Sequence, residues 1–385
     1  MSSAAAPISV SRVRQFVESA VGEDLHAKRV LSLGNAVAGA LTSASLAIHA
    51  IGLGLTRAGS LRSKHAIKQV DRLVSNLGIN VWALFAAWVP FVVASRPHIV
   101  VALDWTEFDG DDQSTIALNM VTRHGRATPL MWLTVVKSEL KDQRNSYEDQ
   151  LLTRLREVLP AGVGVTVLAD RGFGDTKLYA LLTELGFGYI IRFKENILVT
   201  GAKGVTKPAG EWVPPSGRAT KLKGVLVTGE QVPVPAVVVT KAPGMKDAWC
   251  LACSDPEMSA TVAVNHYGKR FSIEENFRDT KDIHFGMGLS NTSISKPARR
   301  DRLLLISALT VAFLTMLGAA GEATGLDAKF KANTSKKRQH SLYRQGWMYY
   351  ECLVTMREEW ARPLLEKFEQ LLAEHDCTRE VLGIL

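Results

Sequence analysis

The segment HIVVALDWTEF, residues 98–108, is an apolar run that ends in a polar cluster. A run of this kind, rich in β-branched and aliphatic residues, is typical of a buried strand. The next stretch, STIALNMVTRHGRATPLMWLTVV (114–136), predicts two more strands around a turn at His124 and Gly125. Three consecutive strands indicate that a sheet begins near residue 98.

Helical and strand patterns alternate beyond these three strands. An amphipathic helix with Pro160 just past its end precedes an apolar strand that ends in charge. A second helix, with Asp175 as its N-terminal cap and Gly186 near its C-terminal end, precedes the strand FGYIIRFK (187–194). The order strand, strand, strand, helix, strand, helix, strand predicts an α/β fold with a mixed sheet flanked by helices.

The alternation stops between residues 196 and 258. VLVTGEQVPVPAVVVTK (225–241) and AWCLACSD (248–255) are strand-like, with Pro and Gly scattered between them. We expect an all-β insertion here, rather than a continuation of the α/β sheet, and then a helix over 262–281.

The chain of 385 residues is moderately basic, with 46 Lys and Arg against 38 Asp and Glu and a formal charge of +8. An excess of this size is compatible with a polyanionic partner, because Lys and Arg contact phosphates, and equally with an ordinary basic protein. Composition alone leaves both interpretations open.

The four cysteines do not form a metal-binding pattern. Cys250 and Cys253 make one CxxC pair inside an apolar run, while Cys352 and Cys377 stand alone. A structural zinc site usually requires two closely spaced ligand pairs, so we interpret the CxxC pair as buried thiols. Nothing in this cysteine usage indicates an oxidising compartment.

Two apolar runs could be mistaken for membrane spans. The run at 79–105 is interrupted by Pro90, and the run RLLLISALTVAFLTMLGAAG (302–321) is close to the lower length limit for crossing a bilayer. A helix that is buried on both sides gives the same pattern. We expect no membrane span, no signal peptide in MSSAAAPISVSRVRQF (1–16), and a cytoplasmic location.

Four polar residues share one face of the helix predicted over YGKRFSIEENFRDTK (267–281). Tyr267, Arg270, Glu274 and Lys281 stand at offsets of 0, 3, 7 and 14, which a helix brings onto one side. A carboxylate among a phenol, a guanidinium and an ammonium is either a solvated salt-bridge face or a catalytic acid flanked by phosphate-binding groups.

Two aspartates follow apolar strands directly. Asp104 comes after VVAL and Asp170 after VTVLA. A carboxylate at the end of a buried strand is costly to desolvate, and a single one is usually a structural hydrogen-bond acceptor. If the two strands are neighbours, the two charges and that of Glu274 repel one another, and a divalent cation would relieve this. Three carboxylates with open coordination positions suit two Mg²⁺ ions in phosphodiester cleavage.

These motifs resemble the DDE transposases of bacterial insertion sequences. LDWTEF (103–108), LADRGFG (168–174) and YGKRFSIEENFRDTK occur in the order found there. The last is similar to the Tyr-x2-Arg-x3-Glu-x6-Lys signature of the insertion-sequence-four family, complete here as Tyr267, Arg270, Glu274 and Lys281. The resemblance covers residues 64 to 350.

The resemblance implies an RNase H-like catalytic domain with a β-insertion between its last strand and the helix that carries the Glu. It therefore accounts for the spacing, since Asp170 follows Asp104 by 170 − 104 = 66 residues and Glu274 follows Asp170 by 274 − 170 = 104. The implied segments are a helical N-terminal region that binds DNA (1–95), the two parts of the catalytic domain (96–195 and 259–320), the β-rich insertion (196–258) and a helical C-terminal region that dimerises (321–385). For the N-terminal helices, a solvated basic face is an equal alternative.

The resemblance also implies the roles of the site residues. Asp104, Asp170 and Glu274 would hold two Mg²⁺ ions, with Mn²⁺ as a substitute, and Tyr267, Arg270 and Lys281 would contact DNA phosphates. Arg171 would touch DNA or pair with a carboxylate. Trp249 would stack near a flipped base at the transposon end, unless it is an ordinary core tryptophan.

The function implied is that of a cut-and-paste transposase. It would bind the terminal inverted repeats of double-stranded DNA as a homodimer, cleave the ends with or without a hairpin intermediate, and join the 3′-hydroxyls to target DNA. This would take place in the bacterial cytoplasm and nucleoid. Two alternatives remain open: an RNase H-like nuclease without strand transfer, and a non-catalytic DNA-binding inhibitor derived from a transposase.

Overall fold

Helices surround a long mixed sheet in the computed structural model, which describes residues 8–59, 61–332, 334–335 and 337–374. Lys336, Cys377 and the two chain ends within the predicted terminal regions lie outside these residues. The first half contains α1 (Val10–Val21), α2 (Ala27–Ser43), α3 (Ile48–Ala58), α4 (Ser63–Val74), α5 (Val81–Val93), β1 (His98–Phe108), β2 (Gln113–Met120), β3 (Thr128–Val136), α6 (Arg144–Val158), β4 (Gly164–Ala169), α7 (Thr176–Glu184) and β5 (Gly188–Phe193).

The second half begins with strands and ends with helices. It contains β6 (Leu198–Thr200), β7 (Thr206–Pro208), β8 (Thr220–Val227), β9 (Val232–Thr240), β10 (Trp249–Cys253), α8 (Ala260–Gly268), α9 (Ser272–Lys281), α10 (Pro297–Ala323), α11 (Leu342–Cys352) and α12 (Glu358–Ala373).

The sheet has the strand order β3-β2-β1-β4-β5-β10-β9-β8-β6-β7. Strands β1, β4 and β5 run parallel to one another, and the other neighbouring pairs are antiparallel. The predicted α/β class, with a large mixed sheet and flanking helices, is confirmed. Strand β4 ends at Ala169, opposite Leu103, and β1 continues beyond that point to Phe108.

The expectation that residues 196–258 would not continue the α/β sheet is wrong. These residues form β6 to β10, and β10 pairs antiparallel with β5, so that Cys250 lies opposite Phe193. All five strands therefore extend the same sheet. The physical reason is that β5 would otherwise expose an unpaired edge, which β10 covers with backbone hydrogen bonds and a buried apolar run.

The helix expected over 262–281 is also interrupted, which corrects the prediction of one continuous helix. Strand β10 is followed by α8, a 3₁₀ turn over Lys269–Phe271, and then α9. Arg270 lies in the middle of that turn. The two thiols Cys250 and Cys253 are buried and free, as predicted, and burial raises the pKa of each to about 12.

Helix α10 connects the sheet to the helical regions at both ends of the chain. It packs against β3 on one side and against α2, α11 and α12 on others, and one apolar core extends from Val13 to Leu371. By length and composition this helix could cross a membrane, but 89% of its most apolar window is buried inside the protein. Helices α2 and α3 pass the same test only as a pair bent by 92°.

Small residues allow α10 and α11 to cross closely. A Cβ atom added at Gly346 would lie 1.8 Å from the carbonyl oxygen of Leu314, and one at Gly318 would lie 1.9 Å from that of Leu342. No side chain fits at such distances unless the helices move apart.

We therefore expect Gly346→Ala to lower the free energy of unfolding by about 1–3 kcal/mol through overpacking. Chemical denaturation monitored by circular dichroism measures this loss. Gly268→Ala is the matched control, because a Cβ there meets nothing within 4 Å and Ala favours the helix. Equal stability of the two variants would contradict the close crossing.

Candidate active site

The two predicted aspartates lie beside the carboxyl end of β4. Asp170 directly follows β4, whereas Asp104 lies inside β1, which corrects the expectation that it follows a strand. Leu103 pairs with Ala169 in the parallel register, so the residues that follow them, Asp104 and Asp170, are neighbours across the two strands. The Asp170 carboxylate caps a 3₁₀ turn and accepts a hydrogen bond from the Gly172 N–H at 2.7 Å. The adjacency that the sequence left conditional is therefore present.

The third carboxylate reaches this edge through an arginine. Arg270 donates from one terminal nitrogen to Asp104 Oδ2 at 3.1 Å and from the other to Glu274 Oε1 at 2.6 Å. Its side chain is only 6% exposed, whereas that of Glu274 is 50% exposed. Asp104 and Glu274 are thus joined by one buried guanidinium.

The pKa of Asp104 responds to the charges of the other two acids. The pKa of Asp104 is raised to about 6, chiefly by burial and also by the charges of Asp170 and Glu274, while Arg270 and the Trp105 N–H oppose the rise. Like charges that converge in a poorly solvated place destabilise one another. This site therefore favours the binding of positive charge.

The donor set fits a divalent cation chemically, because Asp and Glu oxygens are the ligands that Mg²⁺ and Mn²⁺ prefer. In the present arrangement, however, no three His, Cys, Asp or Glu side chains among the described residues are grouped as a metal cluster. The Arg270 guanidinium, bonded to two of the three carboxylates, lies where such a cluster would form.

A comparison with known protein families shows which kind of domain carries this site. Residues 95–313 match the family described as "Transposase DDE domain", and this range includes all three carboxylates. The chain belongs to the transposase DDE domain family. A comparison with curated proteins found no match. The general prediction of a DDE transposase is confirmed.

Lys281 of this transposase lies beside the acids along β1. Its Nζ donates to Thr106 Oγ1 at 3.0 Å and to the Glu107 carbonyl oxygen at 2.6 Å, and burial lowers its pKa. Thr106 is two residues beyond Asp104 and thus on the same face of the strand. Of the four signature residues, Arg270 and Lys281 therefore contact β1, and Glu274 is linked to it through Arg270.

Tyr267 and Trp249 form an aromatic contact behind the acids. Tyr267 is 1% exposed, and its ring meets that of Trp249 edge-on with 4.8 Å between centroids. Trp249 is half-buried at the start of β10, and the partly exposed ring of Phe271 lies 6.2 Å from it. Tyr267 therefore faces protein rather than solvent.

Arg171 pairs with an aspartate outside the set of three acids. Its side chain is 57% exposed and pairs with Asp247 at 3.5 Å. Of its two predicted roles, the structure displays the pairing with a carboxylate, and the guanidinium remains accessible.

Sequence reasoning missed Glu148, which supports the site from behind. Trp105 donates its Nε1–H to Glu148 Oε1 at 2.9 Å, and its backbone N–H to Asp104 Oδ1 at 2.9 Å. Glu148 is 8% exposed, and burial raises its pKa. Its position on the buried face of α6, one turn before Leu151 and Leu152, was the signal that could have identified it.

Proposed function

We propose that this transposase performs cut-and-paste transposition of a bacterial insertion sequence of the insertion-sequence-four type. It would bind the terminal inverted repeats, hydrolyse the DNA at the transposon ends and join the freed 3′-hydroxyls to target DNA. The observation that carries the proposal is the convergence of Asp104, Asp170 and Glu274 from β1, β4 and α9, within the region that matches the family.

We propose that residues 96–195 and 259–320 form an RNase H-like catalytic domain, with 196–258 as its β-rich insertion. The support is the order β3-β2-β1-β4-β5, with a parallel core β1-β4-β5 and an antiparallel partner β2. Strands β6 to β10 enter the chain between β5 and the helix that carries Glu274, which is where the insertion is expected.

Asp104, Asp170 and Glu274 would hold two Mg²⁺ ions, or Mn²⁺ in their place. When bound, such ions supply positive charge that favours an attacking hydroxide and stabilises the leaving oxygen. The protein's own part is to hold the carboxylates in place: Trp105 orients Asp104, the Gly172 N–H orients Asp170, and the helix α9 orients Glu274.

The basic signature residues would bind the DNA backbone next to these acids. Arg270 offers a planar fork suited to bidentate phosphate binding, and Lys281 a compact charge. Tyr267 would assist them through its contact with Trp249, whose half-exposed ring is the proposed stacking surface for a flipped base. Arg171, with its accessible guanidinium, would contact the same strand.

The N-terminal helices would contribute a second DNA contact. A groove of about 1010 Å³ between α2 and α4 is lined by His, Asn, Gln, Ser and Leu side chains and by five cations, namely Lys28, Arg29, Lys64, Lys68 and Arg72. No Asp or Glu belongs to its described lining. Such a concentration of one sign of charge attracts a polyanion.

If the partner is DNA, the binding affinity should depend steeply on salt concentration. The logarithm of affinity for end DNA should fall linearly with the logarithm of salt concentration, by about 0.9 for each phosphate contact. The triple variant Lys64→Gln, Lys68→Gln, Arg72→Gln should reduce this slope by about 3 if all three contact phosphates.

Fluorescence anisotropy across a salt series measures both slopes. Lys223→Gln is the control, because Lys223 is exposed on β8, is paired with Glu257, and should leave the slope unchanged. A wild-type affinity that does not vary with salt would contradict a DNA partner altogether.

The proposal includes a homodimer that pairs two transposon ends, a cytoplasmic location with association to the nucleoid through DNA, and no membrane partner. Burial of α10 within the core supports the last of these. The C-terminal helices α11 and α12 are the proposed dimerisation region.

A further inference from the structure

Arg270 occupies the position of a cation between two acids. It bonds Asp104 at 3.1 Å and Glu274 at 2.6 Å, and 5% of the residue is exposed. A guanidinium held in this way neutralises the charge that would otherwise attract a divalent ion. The two carboxylate oxygens it binds are among those a metal ion would need.

The bound guanidinium is incompletely satisfied. Its Nε is buried and has no hydrogen-bond partner among the described residues, whereas both terminal nitrogens are bonded. A buried donor that lacks a partner costs free energy, because the water that bonded it in solution has been removed. An acceptor that also bonds Nε would therefore compete with the two carboxylates for the Arg270 side chain.

A DNA phosphate is such an acceptor. Two phosphate oxygens can accept from Nε and a terminal nitrogen together, which satisfies the fork that the two carboxylates leave partly unpaired. Two neighbours of Arg270 are accessible to solvent: the Glu274 side chain is 50% exposed, and the ring of Phe271, 4.8 Å from the Arg270 guanidinium, is also exposed. The 3₁₀ turn that carries Arg270 separates α8 from α9, and a short 3₁₀ segment between helices often acts as a hinge.

We propose that Arg270 is an internal counter-ion that keeps the acid cluster closed to divalent cations until a DNA phosphate binds its guanidinium. The inference rests on the proposed function, since it assumes that the acids bind metal and that the partner is DNA. By thermodynamic linkage, DNA then raises the affinity for metal, and metal raises the affinity for DNA by the same factor. The transposase would acquire its metal only on its substrate.

Metal binding without DNA tests the inference directly. Mn²⁺ is titrated into the full chain, and free Mn²⁺ is followed by electron paramagnetic resonance, for the wild type and for Arg270→Gln. A neighbouring guanidinium changes the proton affinity of a carboxylate by about 10- to 1,000-fold. We expect its removal to tighten Mn²⁺ binding by about tenfold or more.

Arg278→Gln is the matched control. Arg278 lies on the same helix, is 53% exposed and pairs loosely with Glu275 at 3.7 Å, so its removal should leave Mn²⁺ affinity unchanged. A parallel measurement is thermal unfolding, in which Mn²⁺ should raise the melting temperature of Arg270→Gln more than that of the wild type.

The outcomes separate this inference from the proposed function. Equal Mn²⁺ affinity in wild type and Arg270→Gln overturns the counter-ion role and leaves the transposase intact. Absence of Mn²⁺ binding in both proteins overturns the role together with the metal site.

A wild-type crystal keeps the inference testable if Arg270→Gln fails to fold. A crystal of the wild-type protein, grown without DNA and soaked in Mn²⁺, should show no anomalous scattering peak between Asp104 and Glu274. An ion there, beside an Arg270 still bonded to both, overturns the inference.

Discussion

Replacement of Glu274 by Gln should abolish both cleavage and joining of transposon ends while leaving the binding of end DNA intact. Gln keeps the shape of the side chain and removes the negative charge that would help to hold a metal ion. Because such an ion is worth several kcal/mol to the transition state, we expect the cleavage rate to fall by roughly 10²- to 10⁴-fold. Labelled end DNA in Mg²⁺, resolved on denaturing gels, measures the rate.

Substitutions of the other two carboxylates and of the adjacent Glu275 complete this experiment. Asp104→Asn and Asp170→Asn should behave like Glu274→Gln. Glu275→Gln is the matched control, since Glu275 is the adjacent residue and forms only long, partly exposed ion pairs at 3.5 and 3.7 Å. Substantial cleavage by Glu274→Gln would remove Glu274 from the catalytic set.

Arg300→Ala should lower the free energy of unfolding more than Gly346→Ala does. Arg300 is 0% exposed, donates its Nε–H to Gln113 Oε1 at 2.7 Å and lies 3.7 Å over the ring of Phe108. It also pairs with Asp111, which is 11% exposed. Removing one partner of a buried ion pair typically costs about 3–5 kcal/mol, because the other charge stays buried without compensation.

The adjacent arginine supplies the control for this loss. Arg299 pairs with Asp71, whose side chain is 56% exposed, and such surface pairs contribute about 0–1 kcal/mol. Urea denaturation of Arg300→Ala and Arg299→Ala should therefore differ by several kcal/mol, on the order of the buried-pair cost. Similar losses in both variants would contradict the view that Arg300 anchors α10 to the end of β1.

The sequence was sufficient where the deciding interactions are local. Apolar runs before Asp104 and Asp170 predicted β1 and β4, and helical spacing placed Arg270 and Glu274 on one side. Both aspartates could be recognised because a carboxylate that directly follows a buried apolar run requires compensation. The adjacency of the two strands stayed conditional on their pairing, which the structure supplies.

The sequence was insufficient where partners are distant in the chain. Nothing in the run Trp249–Cys253 indicates that it pairs with β5, because period-2 patterns identify strands but not their neighbours. Helical periodicity likewise continues through a 3₁₀ turn, so the break at Arg270 gave no signal. The bond from Arg270 to Asp104 spans 166 residues, and only the tertiary fold reveals it.

Strand joining by the wild-type protein tests the central claim most directly. The DNA that borders the gene should carry inverted repeats framed by short direct repeats, and these repeats supply an end duplex for the assay. Incubated with this duplex, Mg²⁺ and a supercoiled plasmid, the transposase should release ends with 3′-hydroxyls and insert them into the plasmid, which sequencing of the junctions detects. Cleavage without joining would contradict this account in favour of a nuclease, and binding without cleavage would contradict it in favour of a DNA-binding inhibitor.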